Sequence, residues 1–163
     1  AIILGIIVTQ IGFPKSTWII AITSIIFGIF LYFSDRFMPN VRSLEEMNFK
    51  HSLYIGCAQA IALIPGSSRS GTCITMARLL GFKKDVAIKF AFIISVPTIL
   101  GAVILMLPKL QHIALDTLFL GVSLSMIFGL LSIHLMLKFV ERIGFLPFAI
   151  YRLVLGCGLL YLF

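Results

Sequence analysis

Apolar residues run through this chain in blocks too long for a soluble fold, and the breaks between blocks are abrupt. Ala1 to Phe13 is apolar but too short to cross a bilayer, so it reads as a helix cut at its start. Thr17 to Phe33 predicts a membrane span, with Trp18 and Tyr32 where interfacial aromatics sit. The polar stretch Asp35 to Asn48 follows, and Ser43 with Glu46 has the S-x-x-E form of a capping box opening the next helix. Phe90 to Leu107 and Thr117 to Leu137 predict two more spans, and Phe148 to Phe163 a shorter last one. Within Thr117 to Leu137, Gly121, Ser125 and Gly129 recur every four residues, a small-residue stripe that predicts close helix packing.

The middle of the chain breaks this pattern. Phe49 to Ile64 would make a helix about 24 Å long and Thr72 to Gly81 one of about 15 Å. Neither comfortably crosses a hydrocarbon core of about 30 Å. The two pieces form either one broken crossing or a re-entrant hairpin over residues 49–81. Charge favours the hairpin. It places Arg36, Arg42, Lys50, Lys83, Lys84, Lys89, Lys138 and Arg142 on one side and only Lys15 and Lys109 on the other. A single crossing divides the same charges six to four. By the positive-inside rule the basic side is cytoplasmic and the C-terminus lies outside.

Composition agrees with this division. Of 163 residues, 60% are hydrophobic and 12% charged, and the mean hydropathy is +1.13. We therefore read a single all-α unit over residues 1–163, a polytopic membrane helix bundle. A formal charge of +7 would suggest nucleic acid in a soluble protein. Here basic loops on the cytoplasmic side and an anionic ligand account for it, and no nucleic-acid partner is expected. Cys57, Cys73 and Cys157 lack metal-ligand spacing and read as small buried hydrophobes. The chain starts at Ala1 in mid-run and has no basic leader, so it is expected to be part of a longer protein.

Between the two short pieces lies Pro65–Thr72, "PGSSRSGT". Non-helical backbone at membrane depth is tolerated only against protein or a water-filled cavity, and an ionisable residue there is a functional candidate. Pro65 ends the first half-helix, while Gly66 and Gly71 let the backbone turn and a ligand approach. Ser67, Ser68 and Ser70 supply hydroxyls, and Arg69 a planar fork of donors suited to phosphate oxygens. The second half-helix starts near Gly71 or Thr72, turning its free N–H groups and positive dipole end to the same point. No acid lies between Gln59 and Arg78. The loop is built to hold an anion, most plausibly a phosphate. The competing reading, in which Arg69 only bonds loop carbonyls, leaves the convergent glycines and serines unexplained. The pattern is not a Walker loop.

The stretch "AQAIALIPGSSRSGTCITMARLLGF" closely resembles the undecaprenyl-diphosphate phosphatase family, bacterial membrane enzymes linked to bacitracin resistance. Its P-G-x-S-R-S-G pattern is met by Pro65, Gly66, Ser68, Arg69, Ser70 and Gly71, with Thr72 directly after. "FAFIISVPTILGA" and "ERIGFLPFAIYRLVLG" extend the likeness over essentially the whole chain. The resemblance implies two inverted repeats, each with a re-entrant hairpin, of which this chain would hold the second. It implies hydrolysis of the terminal phosphate of undecaprenyl diphosphate at a site opening outward, in the bacterial inner membrane. Carried over, Arg69 would clamp the diphosphate and Ser68 would lie beside the scissile phosphate. Gly66, Ser67, Ser70, Gly71 and Thr72 would complete the cradle, with Gln59 as a further substrate-binding candidate. The family's other motif, an acidic E-x-x-x-E helix with a serine- and histidine-bearing loop, is absent. Gln59 and Leu63 stand at the spacing of its two acids. A divalent cation, magnesium or calcium, is expected with its ligands in the missing repeat and none in this chain. A homodimer stays open, as does the identity of the attacking group.

Other residues are read more simply. His134 is expected to be packed or hydrogen-bonded within its span, and His51 and His112 to be interfacial. Arg78 is expected to snorkel to the cytoplasmic surface, and Arg152 to snorkel or to tie to Glu141 or a loop carbonyl. Glu141 and Arg142 read as a solvated loop, and Asp85 as a cap or the helical partner of Lys89. Two other functions compete: a transporter or flippase for anionic polyprenyl lipids, which also uses broken helices aimed at an anion, and a lipid-binding remnant without catalysis.

Overall fold

A computed structural model of the chain describes residues 17–110 and 114–162. Ala1 to Phe13, Lys15 and His112 lie outside the described residues. Among these residues six α-helices follow one another: α1 Thr17–Phe37, α2 Phe49–Ile61, α3 Arg69–Leu79, α4 Lys84–Leu110, α5 Leu115–Ile143 and α6 Leu146–Leu162. Three of them, α1, α4 and α5, contain stretches long and apolar enough to cross a membrane. The chain is an all-α, multi-pass membrane protein.

The helices run past the apolar blocks that announce them. α4 begins at Lys84, where Lys89 Nζ meets Asp85 Oδ2 at 3.2 Å, the helical pair read from the sequence. α5 carries Glu141 and Arg142 in its last turn, so these residues are exposed on a helix and not in a loop. Polar residues end a hydrophobic stretch without ending the hydrogen-bond ladder, which stops at Gly144 with φ of 78°. Ser43 and Glu46 do pair, with Ser43 N donating to Glu46 Oε1 at 2.9 Å, but around a single 3₁₀ turn. The next helix has its own cap: Asn48 Oδ1 accepts from His51 N at 3.0 Å.

α2 and α3 form a helical hairpin whose two ends meet. His51, near the start of α2, sets its ring edge-on to Phe82, just beyond α3, with centroids 5.1 Å apart. Arg42 N donates to Gly81 O and Lys83 N to Arg42 O, both at 3.0 Å, tying the exit to the α1–α2 connection. Asp35 gathers the rest of this end: it pairs with Lys84 at 2.8 Å and accepts from Phe145 N at 3.0 Å. Thr23, which touches the hairpin's tip, stands twelve residues before Asp35 on the same helix, a rise of about 18 Å. The tip thus sits deep in the bundle relative to the charged end.

Arg78 is the hub of that end, and it does not snorkel. Only 1% exposed, its guanidinium lies within hydrogen-bond distance of the carbonyls of Met38, Pro39 and Phe82 and of Asn40 Oδ1. Its Nε faces Asp35 Oδ1 at 4.0 Å. The 35–42 connection folds back over α3 and offers carbonyls nearer than bulk water, so burial with partners wins. Arg78→Lys keeps the charge but replaces a fork by one ammonium, leaving some of those carbonyls unsatisfied. A loss of about 2 kcal/mol is expected, read by denaturant unfolding in detergent.

The closest helix pair is α1 with α6, running antiparallel. The buried face of α1 is Ala21, Ser24, Gly28, Leu31 and Ser34, at helical spacing. A Cβ on Gly156 would stand 2.5 Å from Ile25 Cγ1 and 2.8 Å from Ala21 O; one on Gly28 would stand 3.1 Å from Arg152 Cβ. Small residues admit this approach. Gly156→Ala is therefore expected to cost about 1–3 kcal/mol, while Gly158→Ala, with nothing within 4 Å, should leave the melting temperature unchanged. The stripe at Gly121 and Gly129 does not pack as expected. Both positions have nothing within 4 Å: Gly121 is exposed, and Gly129 borders an open gap between α5 and α4. His134 is likewise exposed on α5, and Cys57 and Cys157 are exposed while Cys73 is buried. In a membrane bundle apolar side chains gain as much facing lipid as facing protein, so apolarity does not foretell burial.

Candidate phosphate-binding site

The hairpin tip is built by a helix that tightens, stops and restarts. Beyond Ile61, backbone bonds shorten in span: Ala62 N to Gln59 O, Leu63 N to Ala60 O and Ile64 N to Ile61 O, at 3.1–3.2 Å. Pro65 has no N–H to continue the series. Gly66 then takes φ of 90°, and a Cβ there would lie 2.2 Å from Thr23 Oγ1 and 2.6 Å from Ile20 O. Only glycine suits both the angle and the space.

α1 anchors the turn. Thr23 Oγ1 lies 2.6 Å from Pro65 O and Ser24 Oγ lies 3.4 Å from Gly66 O. Sequence reasoning missed both residues. Their only signal is a pair of adjacent hydroxyls inside an apolar span.

Ser68 restarts the helix as its N-cap in a strained geometry, φ 58° and ψ 115°, the one positive φ outside glycine among the described residues. Its Oγ accepts from Gly71 N at 3.3 Å. Arg69 and Ser70, the first two residues of α3, have no preceding helical carbonyl for their N–H groups, and both side chains are exposed. Arg69 takes part in none of the ion pairs among the described residues.

The remaining candidates shape the loop from within. Ser67 is fully buried and donates its hydroxyl to Ile64 O at 2.7 Å. Thr72 Oγ1 donates within the loop, lying 2.9 Å from Ser68 O and 3.3 Å from Ser67 O. Gln59 is buried at the end of α2, its Nε2 donating to Thr98 Oγ1 of α4 at 2.9 Å. The tip therefore faces outward with Ser68, Arg69, Ser70 and the α3 N–H groups, while Ser67, Thr72 and Gln59 hold it in shape.

One more side chain reaches this place. Arg152 of α6 donates from Nη1 to Ser67 O at 3.1 Å, the loop-carbonyl tie and not one to Glu141. The exposed polar side chains at the start of α3, Arg69 and Ser70, are both donors. Among the described residues no three of His, Cys, Asp and Glu stand together, and a divalent cation finds no acceptor set in this cradle. A cation implied by the resemblance would need carboxylates from elsewhere, and no step below is routed through one.

Fold and site together define a polytopic helical membrane protein with a donor-rich loop at the tip of a broken hairpin. Residues 1–158 match the family described as Bacitracin resistance protein BacA, and the chain belongs to that family. It is 40% identical over 166 residues to "Undecaprenyl-diphosphatase 1" of Pseudoalteromonas translucida (strain TAC 125), covering 98% of this chain and 62% of that protein. It is 42% identical over 151 residues to "Undecaprenyl-diphosphatase" of Alcanivorax borkumensis, covering 90% of this chain and 57% of that protein. The chain thus spans roughly three-fifths of the length of these relatives.

Proposed function

We propose that the protein to which this chain belongs hydrolyses the terminal phosphate of undecaprenyl diphosphate, leaving undecaprenyl phosphate, in the bacterial inner membrane. The observation that carries this reading is the Ser68-capped start of α3, where free N–H groups and exposed Arg69 converge with no acid beside them. The names of the relatives supply the substrate class.

In this reading the diphosphate lies over the N-terminus of α3. The N–H groups of Arg69 and Ser70 and the Ser70 hydroxyl hold oxygens of the terminal phosphate, and the helix dipole favours its charge. Arg69 takes a phosphate edge with two donors. The bond from the terminal phosphorus to the bridging oxygen breaks as an oxygen nucleophile adds, with water as the net reactant. Charge gathers on the bridging and peripheral oxygens, and donors already fixed by the fold stabilise it without reorganising. Ser68 lies beside the transferred group. The strain at Ser68 is maintained by the Gly66 turn and its α1 anchors, so the cradle is in place before the lipid arrives.

The experiment is hydrolysis by the protein expressed from its complete reading frame, in detergent. One orthophosphate released per undecaprenyl phosphate formed supports the reading. Lipid binding without release, together with lipid movement across liposome membranes, would replace it with transport.

A further inference from the structure

Arg152 does more than its hydrogen bond to Ser67 O requires. Its backbone stands where Gly28 lets α1 and α6 come together, the missing Gly28 side chain leaving 3.1 Å to Arg152 Cβ. From there the side chain extends over the hairpin tip, with Nη1 fixed to Ser67 O at 3.1 Å. The other arm is turned toward Gly71. A Cβ on Gly71 would lie 3.3 Å from Ser68 Oγ, 3.4 Å from Arg152 Nη2 and 3.5 Å from Arg152 Cζ. A hydroxyl and a guanidinium thus flank Gly71 at the α3 N-terminus, and a side chain on residue 71 would stand between them. Arg152 takes part in no ion pair among the described residues. A cation held among apolar helices without a carboxylate is costly unless an anion joins it.

We infer that Arg152 is a second substrate-contacting arginine, whose Nη2 meets a diphosphate oxygen lying over the bare face of Gly71, beside Ser68. This rests on the phosphatase reading. The carbonyl bond fixes the plane of the guanidinium, so the second arm is already aimed when the anion arrives. Arg69 is exposed and moves onto its ligand, whereas Arg152 is pre-set. The two approach from different helices, which lets them grip different oxygens.

The test uses the complete protein and three variants, Arg152→Gln, Arg152→Lys and Gly71→Ala. It reads kcat and KM on undecaprenyl diphosphate, the inhibition constant of inorganic pyrophosphate, and the melting temperature. Pyrophosphate has no lipid, so it reports the cradle alone. Arg152→Gln should lower kcat/KM about 100-fold and weaken pyrophosphate about tenfold. Arg152→Lys, able to serve the carbonyl or the anion but not both, should fall between. Gly71→Ala leaves Arg152 in place but sets a methyl between it and Ser68 Oγ, so weaker pyrophosphate inhibition there locates the anion over Gly71. Arg152→Lys reads Arg152 itself even if Arg152→Gln fails to fold. A purely structural Arg152 would lower the melting temperature and leave pyrophosphate inhibition unchanged in the folded Arg152→Lys protein, which overturns the inference. Should the wild type release no phosphate, the phosphatase reading falls. Calorimetric binding of pyrophosphate then decides Arg152 alone, weaker binding by the variants supporting it and equal binding overturning it.

Discussion

Arg69→Ala in the complete protein is expected to reduce phosphate release from undecaprenyl diphosphate about 10³-fold or more, with the melting temperature unchanged. The two halves of that expectation come from the same observation. Arg69 is exposed at the first position of α3 and engages no partner among the described residues that its loss would orphan, so their packing does not depend on it. Its donors act only when a phosphate is present, and more strongly as charge moves onto the departing oxygen. Arg69→Lys should recover part of the rate, since an ammonium supplies charge without the paired donors. A rate loss accompanied by an equal loss of stability would mean that Arg69 holds the loop, not the substrate.

Gly66→Ala is expected to do the reverse, damaging the fold first and activity in consequence. Backbone at φ of 90° costs a residue with a Cβ about 1–3 kcal/mol, and the contact with α1 adds to that. A loss of about 3 kcal/mol or more is expected, measured by denaturant unfolding in detergent. Trimming the neighbour separates angle from space. Thr23→Ala removes the hydroxyl at 2.2 Å, but Ile20 O at 2.6 Å and Ile20 Cα at 2.9 Å are main chain and cannot be trimmed. The double variant should therefore remain destabilised. Recovery to wild-type stability would show that α1 does not hold the turn as described.

These residues also mark what the sequence could and could not reveal. The helix break at Pro65 and Gly66 was legible because both residues carry their backbone restrictions with them, whatever surrounds them. The donor character of Ser68, Arg69 and Ser70 was legible for the same reason. The division of labour inside the loop was not. Ser67 and Ser68 are identical in type and adjacent, yet one hydroxyl is buried against Ile64 O and the other caps α3. That difference is set by the turn angle at Gly66 and by contacts with α1, more than forty residues away. Arg78 and Arg152 were misjudged or left open because a long cation near a helix end can reach water or carbonyls equally well. The 35–42 connection and the hairpin tip decide between them by lying closer. The stripe at Gly121 and Gly129 misled, while Gly28 and Gly156, which that reading passed over, form the tight contact. Small residues permit close packing, but only the topology says which helix comes close.

The central claim, that the tip of the α2–α3 hairpin holds the diphosphate, is tested most directly by a structure of the complete protein in lipid nanodiscs with a polyprenyl methylene-bisphosphonate. Its carbon bridge blocks hydrolysis while keeping the phosphate oxygens. The bisphosphonate is expected over the start of α3, within hydrogen-bond distance of the Arg69 guanidinium and the Ser70 N–H. A headgroup bound elsewhere, with Arg69 still facing solvent, would contradict it.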